Sequence, residues 1–115
     1  MATDAQFATF ICDQLAAAGD VRVRRMFGEY ALYCDGKVVA LLCDNRLFLK
    51  PTAAAGAWLP SPVEGFPFPG ARPWVVLDDC VDDIELLTRL VRATADALPP
   101  PRPPRPKRPK RPKRP

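Results

Sequence analysis

Two tight-turn signals that lie close together constrain the fold of this chain more than any other feature. Asp35-Gly36 and Asp44-Asn45 separate three short apolar or alternating runs between residues 26 and 51. Asp-Gly is typical of a type I′ turn, because both central residues of that turn need positive φ. Asp-Asn suits the same turn less well, although both residues tolerate the left-handed region. The stretch therefore predicts three antiparallel strands joined by two hairpins.

If both turns contain two residues, the register of the hairpins follows. Leu32 then faces Val39, Tyr30 faces Leu41, and Leu41 faces Phe48 on its other side. One face of the sheet carries the apolar residues Tyr30, Leu32, Cys34, Val39, Leu41, Cys43 and Phe48. The opposite face is also apolar, with Ala31, Tyr33, Val38, Ala40, Leu42, Leu47 and Leu49.

A sheet that is apolar on both faces needs cover on both sides, or a partner chain on one of them. This favours a homodimer whose interface candidates are Tyr30, Leu32, Val39, Leu41 and Phe48. Cover of the same surface by the loop that follows the hairpins is the competing explanation.

A helix is predicted on each side of these strands in the sequence. Residues 3–18 place apolar side chains at helical spacing, with Thr3 as the N-cap. A second helix begins at Asp82, where Glu85 completes a capping box, and it continues to residue 98.

Two further strands complete the predicted sheet. Val21–Met26 alternates valine with arginine, and Pro73–Leu77 is a short apolar run. The arginines of the first strand, Arg22, Arg24 and Arg25, are suited to phosphate contact, but a solvated strand face is the safer interpretation. The predicted fold class is α+β, with a small antiparallel sheet of about five strands and a helix near each end.

Residues 51–73 are rich in proline, which excludes regular helix or central strand over most of this segment. A short helix over Thr52–Trp58 is the exception. The segment and its C-terminal flank also carry Trp58, Phe66, Phe68 and Trp74, so a loop over 58–74 that binds a ligand or partner is one interpretation. The favoured interpretation is that these rings cover one side of the sheet.

The charge of the chain is divided between two parts. Residues 1–98 form the predicted domain, and residues 99–115 contain only proline, arginine and lysine. Eight of the 17 basic residues lie in this tail, which leaves nine in residues 1–98 against all 13 acidic ones. A basic appendage on a mildly acidic body is typical of proteins that bind nucleic acid or another polyanion.

The tail is predicted to be disordered, with an extended polyproline II preference that aligns its cations in rows. We predict non-specific, salt-dependent contact with nucleic acid through Arg102, Arg105, Lys107, Arg108, Lys110, Arg111, Lys113 and Arg114. The alternatives are a merely solubilising extension, contact with acidic patches of this or a neighbouring copy, and recognition by a proline-reading domain.

The composition excludes several kinds of catalytic and metal site. There is no histidine, which removes the commonest general base and metal ligand. The cysteines Cys12, Cys34, Cys43 and Cys80 form no C-x-x-C pair, so neither a metal nor a cofactor is predicted. We interpret them as free core thiols. Cys43, placed opposite Arg46, is the remaining candidate for a nucleophile, and a cysteine-dependent enzyme is the least favoured class.

The location of the protein is predicted from the same features. Residues 1–6 lack the charged-then-apolar order of a signal peptide, and no apolar run approaches the roughly 20 residues that span a bilayer. The sequence therefore predicts a cytoplasmic protein with no membrane partner.

Several motifs are distinctive in combination: Arg25-Met26-Phe27-Gly28, Tyr30, Leu32-Tyr33, Asp35-Gly36-Lys37, Ala40-Leu41, Leu47-Phe48-Leu49-Lys50, Pro73-Trp74, and the run from Val81-Asp82-Asp83 to Leu87. Together they resemble the N-terminal domain of the TfoX/Sxy family of bacterial competence regulators, over most of residues 3–98. The resemblance implies an α+β domain and a role in transcriptional activation, in some members alongside the cyclic-AMP receptor protein. It implies no catalytic residues.

The chain departs from the family pattern in two places. Full-length members have a second, helical domain, where this chain has its basic tail. Glu29 occupies a position where the pattern leads us to expect a second glycine. The sequence thus favours a non-enzymatic regulatory or accessory protein, with a DNA- or RNA-binding tail and a protein partner in transcription. A small-ligand or protein-binding module is the alternative.

Overall fold

The computed structural model describes residues 3–53, 58–59 and 62–99. Its elements are α1 (Ala5–Gln14), β1 (Val21–Met26), β2 (Glu29–Cys34), β3 (Lys37–Cys43), β4 (Arg46–Leu49), β5 (Val63–Gly65), β6 (Trp74–Val76), a 3₁₀ turn (Asp78–Cys80) and α2 (Ile84–Ala97). The strands form one antiparallel sheet in the order β1-β2-β3-β4-β6-β5. The predicted α+β class is confirmed, with six strands among the described residues where about five were expected.

The two predicted turns adopt the backbone that their residues favour. Asp35 and Gly36 have φ of 54° and 84°, and Asp44 and Asn45 have φ of 54° and 57°. Positive φ at both central residues is the signature of a type I′ hairpin turn. The turn between β1 and β2 is of the same kind, although its first residue is the unfavourable Phe27 (Discussion).

The predicted register of β2 against β3 is wrong beyond the turn, because β3 contains a β-bulge. Tyr33 pairs with Val38 but Leu32 pairs with Ala40, so Val39 is an extra residue without a partner on β2. Tyr30 consequently pairs with Leu42 and not with Leu41. A bulge of this kind exchanges the two faces of one strand relative to its neighbour. The predicted β3–β4 register is confirmed.

The bulge determines which residues meet in the core. Both helices pack on one face of the sheet, here called the helix face, and the opposite side is called the open face. Strand residues of the helix face join α1 and α2 in the main core: Tyr30, Leu32, Cys34, Val39, Ala40, Leu42, Leu47, Leu49, Val75 and Leu77. A smaller cluster on the open face consists of Ala31, Leu41, Cys43 and Phe48, with Tyr33, Trp74 and Val76 packed against it.

The helix ends differ from the predictions because the capping side chains have other partners. Thr3 does not cap α1; its hydroxyl lies 2.6 Å from Glu29 Oε1 and accepts from the backbone N–H of Asn45 at 3.2 Å. The helix begins at Ala5 and ends at Gln14, short of the predicted residue 18. In α2 the cap is Asp83 and not Asp82, and its Oδ1 accepts from the N–H of Leu86 at 3.1 Å.

The segment between β4 and β6 contains the strand that the prolines concealed. β5 pairs only with β6 and lies at the edge of the sheet, where prolines on either side are tolerated. The predicted helix over residues 52–58 falls mainly on 54–57, outside the described residues, and the tail from residue 100 onward lies outside them too. The described residues of the main core and those packed against it run from Phe7 to Leu98.

Candidate functional site

The described part of the domain separates its charges between its two sides. Strand alternation places Arg22, Arg24, Arg46 and Lys50 on the open face, beside the small apolar cluster. Exposed carboxylates gather on the other side, around the start of α2 and the 3₁₀ turn: Asp79, Asp82, Asp83 and Glu85. The open face is therefore the basic side of a domain whose total charge is acidic.

A groove of about 570 Å³ lies on the open face at the edge of the sheet, lined by Asp20, Arg22, Val23, Arg24, Tyr33 and Gly36. Arg22 is directly opposite Tyr33 across β1 and β2, and Arg24 is opposite Ala31. The half-buried Tyr33 forms the floor of this groove, with exposed guanidinium groups beside it.

The arginines of the groove are accessible to a ligand. Arg22 Nε lies 3.0 Å from Asp20 Oδ1, but the two side chains are 77% and 59% exposed. Exposed ion pairs of this type contribute little to stability, so an anionic ligand competes with Asp20 at small cost. Arg24 and Arg25 are exposed and form no ion pair with any residue in the described ranges.

The rest of the open face is partly covered by the segment around β5. Gly65 lies against it so closely that a Cβ atom there would be 2.7 Å from Val76 Cγ2 and 3.3 Å from Phe48 Cε1. Pro67 is buried, whereas Phe66 and Phe68 remain 66% and 52% exposed. The loop therefore covers part of the sheet, as one sequence interpretation held, but these two rings stay largely in solvent.

An apolar cavity of about 410 Å³ remains between this loop and the β1–β2 turn. Met26, Phe27, Leu41 and Phe68 line it together with Glu29, Tyr30, Cys43 and Pro67. Phe27 at its rim is fully exposed, and Met26 is 46% exposed. Exposed apolar side chains beside an apolar cavity are a common feature of binding surfaces.

The interface candidates from the sequence do not lie on one surface. Tyr30, Leu32 and Val39 belong to the main core beneath the helices, whereas Leu41 and Phe48 lie on the open face. The bulge at Val39 causes this separation. The prediction that all five residues share one surface is therefore wrong. Dimerisation itself stays a prediction.

The end of α2, where the tail begins, is held on the helix face at the start of β3. Lys37 Nζ donates to the carbonyl oxygens of Ala95 at 2.6 Å and Leu98 at 3.3 Å, which fixes the end of α2 against the start of β3. Lys37 pairs with Cys34, which pairs with Val21 of β1. Two strand spacings, about 10 Å, therefore separate Lys37 from the strand that carries Arg22. The eight tail cations follow in sequence but lie outside the described residues.

A network around Asp35 holds this end of the domain in place. Its Oδ2 accepts from Arg92 Nη1 at 2.7 Å, and its Oδ1 accepts from the N–H of Asp20 at 2.9 Å. These bonds, first that from Asp20 and then that from Arg92, hold the pKa of Asp35 below its ordinary value. Arg92 Nη1 also donates to the carbonyl oxygen of Ala18 at 2.8 Å. The network positions Asp20 and hence one wall of the groove.

The cysteines do not form a reactive site. All four are free, and Cys34 and Cys43 lie on opposite faces of the sheet, contrary to the predicted shared face. Burial, reinforced by Glu29, raises the pKa of the Cys43 thiol to about 11. Arg46, which pairs with Cys43 as predicted, is held by Asp78 at 2.8 Å. Cys43 is therefore a protonated thiol at neutral pH.

Two further features of the described residues concern metal binding and membrane insertion. Within residues 3–53, 58–59 and 62–99 there is no group of three or more acidic, cysteine or histidine side chains arranged to hold a metal ion. In the same ranges, every helix is too short or too polar to cross a membrane.

Comparison with known proteins assigns the domain. The family model described as the TfoX N-terminal domain matches residues 13–98. The chain belongs to the TfoX N-terminal domain family. The match extends from the last two residues of α1 to the end of α2, and so includes the six strands of the described residues. It also includes the groove, the apolar cavity and the Asp35 network, but not the basic tail.

The chain is also similar to a protein of comparable length from a spirochaete. This chain is 52% identical over 102 residues to an uncharacterized 12.7 kDa protein in the trpE 5′ region of Spirochaeta aurantia, with 89% of each chain covered. Several of the motifs that carry the family resemblance have roles in forming the fold. Phe27-Gly28 and Asp35-Gly36 are hairpin turns, and Lys37 caps α2.

Sequence reasoning identified Arg22, Arg24 and Arg25 but did not place Tyr33 beside them. It correctly assigned Tyr33 and Leu32 to opposite faces of the sheet. It had no means of showing that the face with Tyr33 is left uncovered beside β1. The apolar cavity was also missed, since its walls come from the β1–β2 turn and from a loop distant in sequence. The signal for this cavity in the sequence was Phe27, a large apolar residue next to a glycine.

Proposed function

We propose that this TfoX-domain protein is a non-enzymatic regulatory or accessory protein that contacts nucleic acid through its basic tail, residues 99–115. The observation that carries the proposal is the charge of the tail: eight of its 17 residues are lysine or arginine and none is acidic. Such a segment neutralises backbone phosphates and releases counterions without reading sequence. The basic open face of the domain supports the same partner.

The role in transcription, a protein partner there, a cytoplasmic location and homodimerisation belong to this proposal. Family membership supports the regulatory role, since the family resemblance implies transcriptional activation. Against an enzyme, the chain has no histidine, and its candidate nucleophile Cys43 has a pKa of about 11. The described part of the domain thus offers binding surfaces in the groove and the apolar cavity.

The experiment compares the intact chain with a tail-neutral variant, in which all eight tail cations are replaced by glutamine and every proline is kept. Both chains retain the complete core, and the variant keeps the length and the polyproline preference of the tail. Purified from cells at low salt, the intact chain is expected to carry nucleic acid, seen as a raised ratio of absorbance at 260 and 280 nm. Equal ratios for the two proteins would refute the role of the tail.

The apolar cavity supports a second candidate function, a small-ligand or protein-binding module. Its volume of about 410 Å³ lies within the range of small-molecule sites, and its rim carries the exposed Phe27 and Phe68. A thermal-shift screen with apolar compounds tests this function. Compounds that raise Tm in the wild type but not in a Leu41→Trp variant, which fills the cavity, would support it. Failure to find any compound with this behaviour would count against this function.

A further inference from the structure

We propose that the open face of the sheet binds single-stranded nucleic acid, with a base stacked on Tyr33 and the adjoining phosphates on Arg22 and Arg24. The inference rests on the proposed function and extends it from the tail to the folded domain. It also specifies the form of nucleic acid. The tail alone would accept single strands and duplexes alike, since it offers charge but no aromatic ring.

The arrangement of the groove provides the two components that single strands require. Arg22 and Tyr33 are direct cross-strand neighbours, so their Cβ atoms lie about 5 Å apart. Arg24 lies two residues beyond Arg22 on the same side of β1, and their Cα atoms are about 7 Å apart. A ring on β2 with one cation directly opposite it and a second on the diagonal offers a stacking surface beside two phosphate contacts.

The position of β1 leaves this side accessible. β1 is an edge strand of the described sheet, and its side chains Arg22 and Arg24 are exposed. The covering loop around Pro67 packs further across the sheet, by Leu41 and Cys43. The groove beside Tyr33 is not lined by that loop.

The charges around the groove favour a polyanion. Asp20 is the acidic residue in its lining, and its weak exposed pair with Arg22 is replaceable by a phosphate. Glu29 lies at the far end of β2, where its Oε1 accepts from Thr3 Oγ1 and from the N–H of Asp44. Arg46 and Lys50 add positive charge on the same face. Charge complementarity thus directs a polyanion here and not to the acidic side around α2.

The dimensions of the groove favour a single strand over a duplex. Its volume of about 570 Å³ is that of a small-molecule site and accommodates one or two splayed bases. In a duplex the bases are stacked on one another and are not available to a protein ring. Sheets that bind RNA or DNA through aromatic residues use unpaired bases for this reason.

The tail is tethered to the domain at the end of α2, and an extended polyproline II segment of 17 residues reaches roughly 50 Å, so a strand bound by the tail can also contact the groove. Lys37, bonded to the end of α2, is about 10 Å from β1. A strand held by the tail is therefore kept at high local concentration over Arg22 and Tyr33. The domain adds preference for single strands to an affinity that the tail supplies.

The test measures Kd by fluorescence anisotropy at low salt, with a labelled deoxythymidine strand of about 20 nucleotides, the corresponding RNA strand and a duplex of equal length, longer than one typical binding site. The full-length chain is compared with Arg22→Gln/Arg24→Gln and with Tyr33→Leu. Tyr33→Phe retains the ring and serves as the matched control for stacking. Arg89→Gln removes an exposed arginine from the opposite side of the domain and serves as the control for charge.

The expected result is that Tyr33→Leu weakens single-strand binding about fivefold or more, while Tyr33→Phe binds like the wild type. The double arginine variant is expected to weaken it beyond the change seen in Arg89→Gln, for DNA and RNA alike. The duplex is expected to be insensitive to Tyr33→Leu. Circular dichroism of each variant checks that it is folded. If Tyr33→Leu is not folded, Tyr33→Phe and the double arginine variant preserve the test.

Two outcomes separate this inference from the proposal on the tail. If the open-face variants bind like Arg89→Gln while the tail-neutral variant loses binding, the inference is overturned and the tail's role stands. If the tail-neutral variant binds normally but the open-face variants do not, the tail's role is overturned and the inference stands. A loss of affinity in Tyr33→Phe equal to that in Tyr33→Leu would overturn the stacking contact.

Discussion

Arg92 Nη1 lies 2.7 Å from Asp35 Oδ2, and this bond joins α2 to the hairpin turn between β2 and β3. The two residues are separated by 57 positions in the sequence. The same guanidinium group reaches the carbonyl oxygen of Ala18 and the carboxylate of Asp96. The tail therefore begins at a helix end that is anchored both to the sheet and to the segment after α1.

The Asp35 bonds make part of the stability dependent on pH. Because the folded-state pKa of Asp35 lies below its ordinary value, its contribution is fully present above about pH 4 and is lost as the pH falls through the folded pKa. Asp35→Asn is expected to lower Tm at neutral pH while keeping a residue that tolerates positive φ. The difference in Tm from the wild type should shrink at lower pH. A difference that is constant with pH would contradict the assignment.

Gly19 is predicted to be sensitive to the smallest substitution. It has φ of 146°, and a Cβ atom there would lie 2.8 Å from both Arg92 Nη1 and Asp35 Oδ1. Gly19→Ala should therefore destabilise the domain by about 2 kcal/mol or more in urea unfolding, through crowding together with backbone strain. Gly70→Ala is the matched control, since its φ is 84° and no atom lies within 4 Å of the added group. If Gly70→Ala cost as much, crowding at Gly19 would not be the cause.

Phe27 is predicted to reduce the stability of the domain. It has φ of 51° and is fully exposed, so it adopts a left-handed backbone without gaining buried contact area. Asn-Gly is a preferred pair for a type I′ turn, and Phe27→Asn should therefore stabilise the domain by about 1 kcal/mol in urea unfolding. A stabilising effect would indicate that the ring serves binding at the cavity and not folding. A destabilising effect would show that Phe27 makes a structural contact.

The hairpins could be predicted from the sequence because turn chemistry is local. Asp35-Gly36 encodes its backbone through its own two residues, and the β3–β4 register followed from the second turn. The bulge at Val39 could not be predicted, since it depends on how the twisted sheet meets the helices. The Arg92–Asp35 bond and β5 were missed for a related reason, because both depend on residues distant in the chain.

The candidate site was predictable in its charges but not in its geometry. The arginines of β1 and the tail cations are visible as composition and alternation. Placing Tyr33 beside Arg22 on an uncovered face required knowing that the helices pack on the other side and that the loop around Pro67 covers only part of the sheet.

Cys43 is expected to resist modification at neutral pH. Its pKa of about 11 leaves almost no thiolate, and burial restricts access to the sulfur. Alkylation followed by mass-spectrometric mapping should label the less buried Cys12 and Cys80 before Cys43 and Cys34. The rate at Cys43 should rise only as the pH approaches the value of its pKa. Stoichiometric, rapid labelling of Cys43 at neutral pH would restore the case for a cysteine-dependent enzyme.

The salt dependence of single-strand binding tests the central claim most directly. Log Kd for a labelled deoxythymidine strand is measured against log salt concentration, for the intact chain and the tail-neutral variant. If most tail cations contact phosphates, the slope for the intact chain is expected to approach about 5, at roughly 0.7 per phosphate, and that for the variant to fall to about 1 or 2. The same slope for both proteins would contradict the claim that this protein binds nucleic acid through its tail.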